Sequence, residues 1–179
     1  MSSQKLLAGL SSFDRNTMRK VTVSKNEKFE IRGINHLALV CRDMEKTVEF
    51  YSEILGMPLI KTIELPNNMG QHFFFDIGKG DSLAFFWFPD APTSQPGVSH
   101  PTSIVGRGSI TSAHASMNHV AFDIPAEKID EYQKKLEEAG VDVTAVVNHD
   151  DSERGASPTI TESTFVRSLY FTDPDGIML

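Results

Sequence analysis

The chain is poor in cysteine, in basic charge and in long apolar runs, and each shortage closes a door. One cysteine, Cys41, occurs in 179 residues. It can close no internal disulfide and cannot by itself build a thiolate zinc site, so a reducing compartment suits it. Cys41 ends an expected strand, where a buried, inert thiol is the ordinary reading. Lys and Arg number 17 against 24 Asp and Glu, a net charge of −7. That balance excludes nucleic acid as the main partner, because phosphate binding needs a basic face. The only apolar run near the start is "LLAGL". It is too short for a signal-peptide core or a membrane span, which points to a cytoplasmic protein with no membrane partner. The rest is ordinary: 40% hydrophobic and 23% charged residues describe a globular chain, long enough for one sizeable core or two coupled modules.

What the chain does have is a repeat. "GINHLALV" at 33–40 returns as "SMNHVAFD" at 116–123, so Asn35 matches Asn118 and His36 matches His119, an offset of 118 − 35 = 83. Both copies run into a helical pattern. Met44, Thr47, Val48, Tyr51, Ile54 and Leu55 make one stripe, with Asp43 at the N-cap and Gly56 at the C-terminal end. Ile129, Tyr132, Leu136 and Ala139 make the other, with Pro125 at the first helical position and Gly140 closing it. Strand patterns follow. They are "PLIKTIEL", "QHFFFDIG" and "SLAFFWF" in the first copy, and "VDVTAVVN", "FVRSLYFT" and the start of "IML" in the second. The expected fold is α+β: two tandem βαβββ modules forming a cupped, partly open mixed sheet. The expected organisation is an N-terminal extension over 1–30, a first module over 31–90, a Pro-, Gly- and Ser-rich linker over 91–115, and a second module over 116–179.

Paired units of this order, each opening on Asn-His, with the chain closing on "YFTDPDG", resemble the vicinal oxygen chelate superfamily. That superfamily includes glyoxalase I, extradiol dioxygenases and the fosfomycin and bleomycin resistance proteins. The resemblance covers 33–90 and 116–179. It implies a cup holding a divalent metal, with His36 and His119 as ligands from the first strands. Neutral imidazole is the commonest nitrogen ligand for such ions, which agrees with the assignment. Two features depart from the family pattern. Ala84 stands where the first module would offer a last-strand ligand, so a glyoxalase I site is incomplete. The chain ends at Leu179, where the pattern "DPDGxxLE" places a glutamate, so the last strand is expected to be cut short. With that glutamate, two histidines and one carboxylate would favour iron(II); manganese, zinc or nickel are the alternatives.

Other residues complete the candidate site. Tyr170, beside "FTDPDG", holds the place of a tyrosine that contacts substrate in extradiol dioxygenases. His72 shares a strand face with Phe74 and Asp76, which makes it the candidate general acid or base. Phe86 and Phe88 could line an apolar substrate pocket, and Arg167 could meet an anionic substrate. His100, His114 and His149 read as surface loop residues, and "HDDSERGAS" as a solvated loop. The resemblance implies a metal-dependent enzyme for a small, oxygen-bearing, possibly aromatic molecule, working as a homodimer. An extradiol-type dioxygenase leads. A glyoxalase- or isomerase-type lyase and a non-catalytic drug-binding protein are the alternatives.

Overall fold

In the computed structural model, which describes residues 28–179, the first copy of the repeat forms as its pattern requires. Its strands are β1 (His36–Cys41), β2 (Leu59–Glu64), β3 (Gln71–Gly78) and β4 (Asp81–Trp87). They make one sheet in the order β1-β4-β3-β2, with β1 parallel to β4 and the other pairs antiparallel. The crossover from β1 is helix α1 (Met44–Val48), which continues as a π-helical turn over Glu49–Ile54. Asp43 caps the helix by accepting the Lys46 N–H at 3.2 Å, and Gly56 leaves it at φ +72°. The wider turn brings both Phe50 and Tyr51 inward. A stripe drawn at 3.6 residues per turn contains only Tyr51.

Strand alternation sorts the side chains cleanly. Cys41, Phe73, Phe75, Leu83 and Phe85 point to the helix and join Phe50 and Tyr51 in the core. Tyr51 meets Phe85 at 5.0 Å and Phe75 at 5.6 Å between ring centres. Burying each such aromatic side chain stabilises the fold by roughly 1.5–3 kcal/mol. The opposite face carries His36, Ala38, Val40, His72, Phe74, Ala84 and Phe86, set side by side by the register His36↔Ser82, Ala38↔Ala84, Phe74↔Ala84 and His72↔Phe86.

The second copy forms its helix and a small three-stranded sheet, but not its first strand. Helix α2 (Ile129–Glu138) follows a short 3₁₀ turn, Ala126–Lys128, which displaces its start beyond Pro125. Ile129 and Leu136 are buried, whereas Ala139 is exposed and drops out of the expected stripe. No strand forms over 118–123. Among the described residues that segment has a single ladder bond, from the Val120 N–H to the Met178 carbonyl at 3.0 Å. Residues 177–179 pair also with Phe171.

Two compact units are present. Residues 32–146 and 168–179 form one; 147–167 belong to the other, with 28–31. This division cuts across the second copy rather than following the linker. β5 (Val147–His149) pairs antiparallel with β6 (Ala156–Ser157), and β7 (Val166–Ser168) completes a three-stranded sheet in the order β6-β5-β7. His149 is therefore in a strand, not a loop. Asp150 is not solvated either. It is buried and accepts hydroxyls from Ser152 and Ser157, which hold its carboxyl below its ordinary value. Among the described residues no helix is long and apolar enough to cross a membrane.

Candidate functional site

Each Asn-His pair is a small machine for choosing a tautomer. The Nδ1 of His36 lies 2.8 Å from Asn35 Oδ1, and the Nδ1 of His119 lies 2.8 Å from Asn118 Oδ1. An amide oxygen only accepts, so each Nδ1 carries the hydrogen. In the neutral ring the lone pair is then on Nε2, the form in which a histidine binds metal while its other nitrogen donates. Both imidazoles are solvent-exposed. The asparagines thus act behind the ligand candidates, through the histidine rings.

His72 receives similar treatment from the main chain. Its Nδ1 is 2.9 Å from the Phe85 carbonyl, which again makes Nδ1 the donor and leaves Nε2 free to accept. The ring stacks on Phe86 at 3.7 Å and 3°, with Phe74 edge-on at 4.3 Å. Phe86 in turn stacks on Phe88 at 5.4 Å and 8°. Phe74 also reaches His36 at 5.9 Å. One row of rings, His36–Phe74–His72–Phe86–Phe88, therefore crosses the face away from the helix. Ala84, at the place of a last-strand ligand, is fully buried on the central strand beside Phe74.

Tyr170 is buried, with its ring edge-on to His119 at 6.0 Å. Its main chain is fixed on both sides by Thr144, which donates its N–H to the Tyr170 carbonyl and accepts the Tyr170 N–H at Oγ1. Arg167 lies in the other compact unit, where its Nε donates to Asn148 Oδ1 at 3.2 Å. Among the described residues no three His, Cys, Asp or Glu side chains gather as a metal site. His36 and His119 each keep an Nε2 lone pair, the donor type that divalent ions take from imidazole.

Three features escaped the sequence. A second bond holds Asn118: its Nδ2 donates to the Ile110 carbonyl at 2.7 Å. The Tyr51 hydroxyl donates to Asp173 at 3.1 Å, and Asp173 also accepts the N–H groups of Asp175 and Ile177 within the "DPDG" turn. Burial pushes the Asp173 carboxyl up to about 6. His100, far from being a bare surface residue, lines a cavity of about 120 Å³ with Thr172, Gly176 and Met178. The "NH" dipeptides were visible as a pattern; the distant carbonyl and carboxylate were not.

Comparison with known proteins agrees with this architecture. The family model described as the Glyoxalase/Bleomycin resistance protein/Dioxygenase superfamily matches residues 33–179. "Glyoxylase I 4" of Arabidopsis thaliana is 29% identical over 150 residues, 83% of this chain and 69% of that one. "Metallothiol transferase FosB" of Shouchella clausii is 27% identical, covering 83% and 78%. The "Putative ring-cleaving dioxygenase MhqE" of Bacillus subtilis is 26% identical over 113 residues, which span 32% of its length. Among solved structures, a glyoxalase family protein from Enterococcus faecalis superposes with a TM-score of 0.57 at 22% identity, covering 83% and 94%. A mutant of the fosfomycin resistance protein FosX of Listeria monocytogenes, complexed with Mn(II) and 1S,2S-dihydroxypropylphosphonic acid, gives 0.53 at 21%, covering 83% and 89%. At these identities the structures speak for the fold alone.

Proposed function

Since the chain belongs to the glyoxalase/bleomycin resistance protein/dioxygenase superfamily, we propose that it is a metal-dependent enzyme acting on a small, oxygen-bearing substrate with an aromatic part. The observation that carries this reading is the repeated Asn-His pair, which leaves Nε2 as the lone-pair nitrogen on both His36 and His119. Those two nitrogens would hold the ion, and water and substrate oxygens would fill the other positions. Two imidazoles suit iron(II), manganese, zinc or nickel, and a carboxylate joining them would favour iron(II). The bound ion supplies Lewis acidity towards a substrate oxygen. The chain's own residues do the rest. His72 accepts the substrate proton at Nε2, because Nδ1 is already committed to the Phe85 carbonyl. Phe86 and Phe88 offer flat faces to an aromatic ring. Tyr170 packs against His119, limits the swing of its ring, and meets the substrate oxygen.

The ring row favours extradiol-type cleavage of a hydroxylated arene. A glyoxalase-type isomerisation draws on the same two histidines and on the Arabidopsis relative. The test is metal content by elemental analysis after equilibration with iron(II), manganese(II) and zinc(II) in turn. His36→Ala and His119→Ala should each abolish uptake with the fold intact. Equal metal in wild type and either variant would sink the reading. Ring-opened product from a catechol would then separate the dioxygenase from the isomerase.

A further inference from the structure

We infer that the linker preceding the second copy positions His119, through Asn118 as a positioning residue; the consequence for metal binding rests on the reading above. Ile110 belongs to the Pro-, Gly- and Ser-rich linker segment. Its carbonyl accepts the Asn118 Nδ2–H at 2.7 Å, and a carbonyl can face only the NH₂ end of an amide. That single contact decides which way the amide points. Oδ1 is turned to His119, Nδ1 of His119 must donate to it, and Nε2 is left with the lone pair. The chain of cause is linker carbonyl, amide orientation, imidazole tautomer, ligand nitrogen.

The linker is itself tied down on both sides of Ile110. Thr102 donates its hydroxyl to the Ser109 carbonyl at 3.0 Å, and the Ser109 hydroxyl accepts the Thr111 N–H at 3.2 Å. Arg107 bridges to Asp142 at 2.6 Å and donates to the Val143 carbonyl at 2.9 Å, next to the end of α2. The matching Asn35 has no such second bond among the described residues. His36 instead sits on β1, which is held along its length by β4. Among the described residues the segment around His119 has one ladder bond, at Val120.

The tautomer is readable in the metal-free protein. Long-range ¹H–¹⁵N correlation at pH 8 should show His119 protonated at Nδ1, and one of the two Asn118 amide protons slow to exchange. Asn118→Ala should move His119 towards the Nε2–H form that an unconstrained imidazole prefers, and Asn118→Asp, which keeps an acceptor oxygen, should restore Nδ1–H. Loosening the linker with S109G, I110G and T111G together should raise the minor tautomer of His119 and leave His36 unchanged. In zinc(II) titrations Asn118→Ala should weaken binding by about 10–100-fold, and Asn35→Ala by clearly less. Wild-type His119 found as the Nε2–H form, a tautomer indifferent to Asn118→Ala, or equal losses at Asn35 and Asn118 would each overturn the proposal. Failure of every form to bind metal would instead count against the metal reading, with the tautomer result standing on its own.

Discussion

The two copies of the repeat carry the same dipeptide and the same helix ending, yet the strand that bears His36 in the first does not form around His119 in the second. In the first, β1 lies against the central strand β4 through six register pairs. In the second, 118–123 touches its partner once, at Val120. The local sequences are alike in alternation. His36 is mounted on β1, whose neighbour β4 runs for seven residues. A strand is a property of a pair, and a histidine mounted on one inherits the rigidity of that pair. His119 is met instead by the amide of Asn118 behind it and the ring of Tyr170 beside it.

Hydrogen exchange would break or sharpen this contrast most directly. Amides of β4 should exchange at least about a thousandfold more slowly than those of 119–123, with Val120 the slowest of the latter. Equal protection across both segments would mean that the second strand forms fully.

The next largest effect concerns the bond that joins the copies. Tyr51, from the first helix, donates to Asp173, from the second copy's turn. The Asp173 carboxyl is raised from 3.8 to about 6, mainly by burial. A raised acid stabilises the fold fully below its unfolded value near 3.8, and that contribution is lost as pH rises through about 6. The shift of about two pH units corresponds to about 3 kcal/mol. Denaturation of wild type and Asp173→Asn at pH 4 and pH 7.5 should therefore show the variant gaining on wild type by about that amount at the higher pH. A gap independent of pH would show that the carboxyl titrates normally.

The smallest effect tests where the copies agree. Gly56 and Gly140 end their helices at φ +72° and +79°, and a Cβ at either would meet nothing within 4 Å. The cost of alanine is then purely conformational, about 1 kcal/mol at each site. Unequal costs would reveal a packing difference between the helix ends that their geometry does not show.

These contrasts also mark how far the sequence could be read. β3 spans 71–78 as its alternation indicates, and Asp43 and Gly56 punctuate the first helix as their residue types suggest. Such features depend on neighbours a few residues away. Phe50 was lost to a helix that widens, since a fixed period cannot register a π turn. No strand forms over 118–123, although its alternation matches that of β1. In the site, the "NH" dipeptides and the face of His72 were legible. The stacking of His72 on Phe86 and the role of Ile110 depend on how chains meet in space.

Cys41 has a practical consequence of its own. It is 1% exposed between β1 and the helix, and burial pushes its thiol up to about 11. Thiolate is therefore scarce near neutral pH and unreachable until the helix lifts from the sheet. Because no other cysteine exists in the chain, the rate at which an alkylating reagent consumes this sulfur would be a stopwatch for that opening, with no label to introduce and no background to subtract.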